Sequence, residues 1–318
     1  MNVIIKIMNY LITEKIKKEY NLKNPVFLKK FETRGQRRVF LIIDNKNKYV
    51  IKIIPNKKEL IAKLEFISKI KNKIINFPRI IDTKSNKKYF FQSGNFFFLS
   101  EFIDEKENMP SLNFFSKLGY AVGEFHKIET ENSKILNLNI GEKIKKLKTL
   151  FSKKNIDIKI KNQIINFLDS FPPISGATIG PVHGDISYFN VLGKEKLFLI
   201  DFDDISRGPI VYDLGQMVAF MFNLIPFDFL KFEMKIKRIS QPVFLMSGFK
   251  IFLKNYSRKI KLSRHDIEIL PKMAMLVCLE NVYLESIDGI FKWNFKRFKK
   301  IEKEQDLIKQ LSLKYFLN

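Results

Sequence analysis

PVHGDISYFNVLGKEKLFLIDFDDISRGPIVYDLG, residues 181–215, is the stretch around which the rest of the chain is organised. It opens on His183-Gly184-Asp185, places Asn190 five positions after the aspartate, and sets Asp201 at the end of the apolar run 197–200. Val191-Leu192 and Leu197 to Ile200 read as short strands, so the three polar residues fall in the loops that flank them. A carboxylate can accept a hydroxyl proton, while a carboxamide and a second carboxylate suit a cation that prefers oxygen ligands in octahedral geometry. That is the layout a magnesium–nucleotide site requires. Each residue also has an ordinary reading. An aspartate before a turn often caps a helix, and Asn190 could belong to an Asx turn. Asp201 at a strand end has no such explanation, and the joint spacing favours the metal site.

The order Asp-x4-Asn, then a strand, then Asp is also that of the catalytic core of protein kinases. Here Gly184 replaces the arginine of that core, and Asp201-Phe202-Asp203 stands where Asp-Phe-Gly would be. With Tyr212-Asp213-Leu214 downstream, the whole string resembles the aminoglycoside phosphotransferase and choline kinase superfamily. The resemblance spans roughly residues 25–290 and is strongest at 181–215. It implies an α+β fold, protein-kinase-like and two-lobed. A small antiparallel-sheet N-lobe that binds nucleotide would occupy residues 1–102, and a mainly helical catalytic and substrate-binding C-lobe residues 103–318. Transfer would occur in the cleft between them. It implies ATP and Mg²⁺ as cofactors, Asp185 as the base or hydroxyl-orienting group, and Asn190 and Asp201 as metal ligands. His183 would brace the loop and Asp213 would anchor its backbone. Asp203 and Asp204 are left with two open roles, added metal affinity or holding basic groups. Ser187 replaces a lysine found in protein kinases, which leans slightly toward a small-molecule acceptor.

Upstream, the apolar positions Ile4, Ile5, Met8, Leu11, Ile12 and Ile16 predict a helix over residues 2–20. Phe27 to Phe31 and Arg38 to Ile43 read as strands joined by residues 32–37, where the resemblance places a phosphate-covering loop containing Gly35. An ordinary hairpin turn explains that connection equally well. In the next strand, residues 49–54, alternation puts Lys52 on a face with Val50 and Ile54, toward the interior. A buried ammonium needs an anion to keep its charge. ATP phosphates and a helix carboxylate supply one in the superfamily, whereas a lysine on an edge strand would snorkel to water. Glu65 is the carboxylate expected to pair with Lys52, since Glu59 lies near the helix start where it suits the dipole. The backbone of Glu101 and Phe102 resembles the hinge that bonds adenine.

Beyond the hinge, residues 111–130 and 142–169 carry helical stripes, the latter with solvated basic faces, and the chain after Gly215 reads as helical to its end. His126, which closes Leu118-Gly119 … Gly123 … Phe125-His126, reads as a packed or capping histidine. Composition narrows the classes further. At 46% hydrophobic residues, the 318-residue chain can bury a substantial core. Its single cysteine, Cys278, excludes an intramolecular disulfide and reads as a buried small side chain. Lys6 interrupts the first apolar run, no small-residue cleavage site follows, and no run reaches the roughly 18 apolar residues of a membrane helix. A cytoplasmic protein is the expectation. The net charge of +24 is spread through nearly every segment alongside Ile, Asn and Phe. Clustering marks a nucleic-acid footprint more than total charge does, so nucleic acid is not the expected partner.

Three functions remain open on these grounds. The first is an ATP- and Mg²⁺-dependent kinase acting on a hydroxyl of a small molecule such as an amino alcohol, sugar or antibiotic. The second is a protein serine/threonine kinase of the same superfamily. The third is a non-catalytic kinase-like binding module, against which the intact Lys52, Asp185, Asn190 and Asp201 argue.

Overall fold

Two-residue turns fold the first third of the chain into hairpins. β2 (Arg38–Asp44) and β3 (Asn47–Pro55) pair with Asp44 opposite Asn47, so only Asn45 and Lys46 make the turn. Asn45 takes φ +56, a left-handed conformation that asparagine tolerates. β6 (Phe90–Gln92) and β7 (Asn95–Glu101) close through Ser93 and Gly94, both at positive φ, the geometry that matches strand twist. With β1 (Pro25–Phe31) and β5 (Ile80–Ile81), these strands form an antiparallel sheet in the order β1-β2-β3-β7-β5, with β6 paired to β7 and the two-residue β4 (Ile75–Asn76) outside it. The computed structural model describes residues 13–31, 38–55, 58–70, 75–105, 110–131, 133–225, 241–283 and 288–317. These divide into two compact units, one running to Glu105 and including Ser133–Ile135, the other holding the rest.

Ile42, Ile51, Ile53 and Leu99 form the apolar face of the first unit's sheet. Residues 13–20 are helical and lay Ile16 and Tyr20 on that face, where the Tyr20 hydroxyl donates to the Phe97 carbonyl (3.2 Å). The expected residues 2–12 of that helix lie outside the described residues. Helix Lys58–Lys69 follows β3 and buries Leu60, Leu64, Phe66 and Ile67.

In the second unit, Ser111 caps helix Leu112–His126 by accepting from the Phe114 N–H (3.1 Å). Asn139 and Asp157 do the same for helices Ile140–Lys153 and Ile158–Asp169. Phe115, Leu118, Val122 and Phe125 form the buried stripe of the first. Gly119 and Gly123 lie one turn apart on its other packed face, against helix Met246–Tyr256. A Cβ at Gly119 would fall on the backbone oxygen of Phe252, and one at Gly123 would lie 3.2 Å from that of Tyr256. Gly119→Ala is therefore expected to lower stability by ~1–3 kcal/mol, the usual cost of overpacking. Urea midpoints measure it, and a variant as stable as the parent would show that the two helices can part freely.

Short strands are where the structure departs from the expected pattern. Helix Val211–Phe220 ends at a two-residue strand, Asn223–Leu224, paired with Val243–Phe244, before helices Met246–Tyr256, Arg264–Tyr283 and Asp288–Phe316. A two-residue strand leaves no periodicity to read. A second unexpected pair, β8 (Ile179–Val182) with β11 (Ser206–Pro209), has glycine and proline in both strands, which argue against strand on propensity alone. No helix among the described residues is long and apolar enough to cross a membrane.

Candidate active site

β8 enters the site and β11 leaves it. Their register sets Val182 against Ser206, which brings His183 to Asp185 beside the segment that follows Asp201. Gly184 sits at φ +85, and a Cβ there would approach the Asp204 carbonyl oxygen to 2.8 Å. Both the conformation and the space demand glycine. Between these strands, β9 (Val191–Leu192) and β10 (Leu197–Leu199) form a hairpin, and the Ile200 N–H donates to the Asn190 carbonyl (2.9 Å). Asn190 and the residue before Asp201 are thus tied backbone to backbone.

Asn190 also closes the loop on Asp185. Its Nδ2 donates to the Asp185 carbonyl (2.9 Å) and to Asp185 Oδ2 (2.8 Å). Both amide protons being committed to one residue, the Asn190 amide oxygen is the atom left to face a cation. The Asp185 carboxyl is pushed above its ordinary value, first by the desolvation of its surroundings, even though one side of the residue meets solvent. The His183 ring opposes that rise, the charges of Asp201 and Asp204 add to it, and the Asn190 hydrogen bond opposes it. The charges of Asp201 and Asp204 are therefore felt at Asp185.

Asp201 is exposed and holds φ +58, ψ +53 at the start of the 3-10 turn Phe202–Asp204. Aspartate is among the few residues that enter this left-handed region. Its neighbours differ in setting, since Asp203 is buried and Asp204 exposed. No group of three or more His, Cys, Asp and Glu side chains is placed to hold a metal among the described residues. The donor set here is one carboxylate and one carboxamide, a number that suits an ion sharing its ligands with phosphate oxygens and water.

Beneath the loop, Asp213 in helix Val211–Phe220 accepts from the His183 N–H at Oδ2 (2.7 Å) and the Gly184 N–H at Oδ1 (2.9 Å). Gln216, one turn on, accepts the Ile186 N–H (3.2 Å) and donates to the Gly184 carbonyl (2.5 Å). The Tyr188 hydroxyl reaches the Met221 carbonyl (2.7 Å), and the Asp185 N–H donates to His183 Nδ1 (3.3 Å). Gln216 and Tyr188 were not singled out from sequence. The three-residue step from Asp213 to Gln216, which puts two polar side chains on one helix face, was the available signal. His126 is buried with Nε2 3.1 Å from Asp213 Oδ2.

The remaining sequence candidates lie in the first unit. Lys52 is 8% exposed, opposite Val39 on β2 and Phe98 on β7. Glu65 is exposed despite buried neighbours at 64, 66 and 67, because adjacent positions on a helix face different ways. The Glu59 side chain and the whole of Gly35 lie outside the described residues. The Glu101 N–H donates to the Arg79 carbonyl (2.9 Å) and the Phe102 N–H to that of Lys48 (3.1 Å), so both donors are committed within the unit. Cys278 is fully buried, and that burial, opposed by Arg297, pushes its thiol up to about 12. It is no nucleophile at neutral pH.

The family model described as the phosphotransferase enzyme family matches residues 29–229. Among solved structures, the chain is similar to an amicoumacin kinase in complex with AMP-PNP, Ca²⁺ and Ami. That pair is 15% identical with a TM-score of 0.67, covering 93% of each chain. A choline kinase from Cryptosporidium parvum Iowa II is 13% identical with a TM-score of 0.67, covering 98% of this chain and 100% of that one. A microcompartment-associated aminopropanol kinase is 13% identical with a TM-score of 0.59, covering 97% and 99%. At these identities the likeness establishes the fold, an α+β kinase-like architecture. No curated protein matches the chain in sequence.

Proposed function

The chain belongs to the phosphotransferase enzyme family, and from that premise we propose that it transfers the γ-phosphoryl group of ATP to a hydroxyl of a small molecule such as an amino alcohol, sugar or antibiotic, with Mg²⁺ as the metal. The observation that carries this reading is the pair of hydrogen bonds from Asn190 Nδ2 to the Asp185 carbonyl and carboxylate. It orients the carboxylate of one residue and turns the amide oxygen of the other toward a cation. Asp185 Oδ1 then remains to accept the acceptor hydroxyl's hydrogen. A carboxyl raised above its ordinary value by desolvation is better matched to proton transfer near neutral pH.

The Asn190 amide oxygen and the exposed Asp201 carboxylate fit a hard divalent cation. Such a cation, when bound, offsets charge on the polyphosphate. Lys52 is the side chain proposed to offset charge on the phosphates, and the kinases named above make ATP the natural donor to test.

The test has two arms. Hydroxylated candidates are screened for ADP release, and the expected result is turnover with one chemical group of acceptors. ATP is then titrated in a thermal-shift assay, where stabilisation should need Mg²⁺. Equal stabilisation in EDTA would count against the metal site, and no ADP release with any acceptor would count against the transfer.

A further inference from the structure

We propose that Tyr256 and His126 are positioning residues for the catalytic loop, the tyrosine fixing the orientation of the histidine ring that in turn holds Asp213 in place. The inference rests on the reading of residues 183–190 as that loop.

The Tyr256 hydroxyl lies 2.7 Å from His126 Nδ1, and His126 Nε2 lies 3.1 Å from Asp213 Oδ2. All three residues are sealed from solvent, Tyr256 and Asp213 at 0% and His126 at 4% exposure. Directions along this chain follow from what each end needs. A buried hydroxyl requires an acceptor, and among the described residues Tyr256 has only His126 Nδ1. That nitrogen must offer its lone pair, so the ring carries its single proton on Nε2 and donates to Asp213. Asp213 Oδ2 then receives two donors, His126 and the His183 N–H, and Oδ1 receives the Gly184 N–H. Burial, then the charges of Asp213 and Asp266, hold the Tyr256 hydroxyl well above its ordinary value, so its proton stays on oxygen.

Asp213, which only accepts, selects the Nε2–H tautomer, and the hydroxyl at Nδ1 fixes the orientation of the ring that carries it. Without the hydroxyl the ring is free to turn, its bond to Oδ2 weakens, and the carboxylate loosens on the two loop amides. Gly119 and Gly123 are what allow the relay at all. They let helix Leu112–His126 approach helix Met246–Tyr256 at backbone contact, close enough for a ring and a phenol to meet.

The test needs no acceptor. The full chain is labelled with ¹⁵N, and the imidazole resonances of its three histidines are assigned. In the parent, His126 should carry its proton on Nε2. Tyr256→Phe, which removes one oxygen, should leave that proton on Nε2 but free the ring to turn, and speed hydrogen exchange at the His183 and Gly184 amides by about tenfold, with exchange in β3 of the first unit unchanged. A proton on Nδ1 in the parent, unchanged loop amides in the variant, or equal acceleration in β3 overturns the proposal. His126→Gln keeps a donor near the Nε2 position, so adding Tyr256→Phe to it should change neither amide further. The same loss in both backgrounds would show that Tyr256 does not act through His126. On the acceptor found by the screen, Tyr256→Phe should lower kcat about tenfold with KM for ATP unchanged. Altered amides with unchanged kcat would refute the positioning role while leaving the phosphotransferase reading intact.

Discussion

Asp185→Asn should lower turnover by ~10²–10⁴, the usual contribution of a positioned general acid or base, while Mg²⁺-dependent ATP affinity stays close to that of the parent. The amide oxygen of the new residue can still accept from Asn190 Nδ2, so the loop keeps its closing bond. What changes is the other arm of the side chain, which now presents N–H where a hydroxyl's hydrogen must be received. Asn190 and Asp201 keep their oxygens. Asp201→Asn should behave differently. It removes a charged ligand, so metal-dependent nucleotide binding falls along with the rate. It also removes one of the charges that raise Asp185, so that carboxyl should titrate lower in the metal-free variant. Calorimetric titration of both variants with ATP and Mg²⁺, followed by steady-state assays, separates the two. Loss of nucleotide binding in Asp185→Asn with retention in Asp201→Asn would reverse the assigned roles. Full turnover in both would refute the transfer chemistry itself.

The second large effect is on stability. Asp213 is fully buried and takes hydrogen bonds from the His183 and Gly184 amides and from His126. Asp213→Ala leaves three buried donors without an acceptor, at ~1–3 kcal/mol each. Part of that is returned because a carboxylate no longer has to be stripped of water. A net loss of ~3–5 kcal/mol is expected, a large share of the ~5–15 kcal/mol that holds a typical domain. Asp213→Asn keeps the shape and one acceptor oxygen but turns an N–H toward a donor, and should fall between. Denaturant unfolding of the three proteins gives the order, and an alanine variant with the parent's midpoint would remove Asp213 from the frame of the loop.

How far the sequence could be read depends on how local each interaction is. The Asp185–Asn190 pair spans five residues of one loop, and their spacing alone brought them together. Lys52 was assigned to the interior by strand alternation, and it is buried because β3 sits between β2 and β7. The relay under the loop joins residues 126, 213 and 256, and no local pattern links a helix-end histidine to a tyrosine 130 positions on. The β8–β11 pair escaped because its glycines and prolines argue against strand on propensity, whereas the structure uses Gly180 and Gly208 for close approach. Glu65 stands between buried neighbours and is itself exposed, because burial on a helix repeats every three to four residues and position 65 falls in the gap.

The left-handed backbone at Asp201 has a consequence for which sequences this position can sample. Under the proposed metal role two filters act there at once, one on charge and one on conformation, and they pass different sets of residues. Asparagine and glycine satisfy the backbone but not the charge. Glutamate satisfies the charge, yet its longer side chain lacks the local bonding that eases aspartate into φ > 0, a region most residues enter at a cost of order 1–2 kcal/mol. The two sets intersect at aspartate alone. Drift at this site would therefore pass through folded, inactive intermediates, and a chain that has lost the residue can regain function only by the same letter. A bystander at a strand end would carry no such restriction.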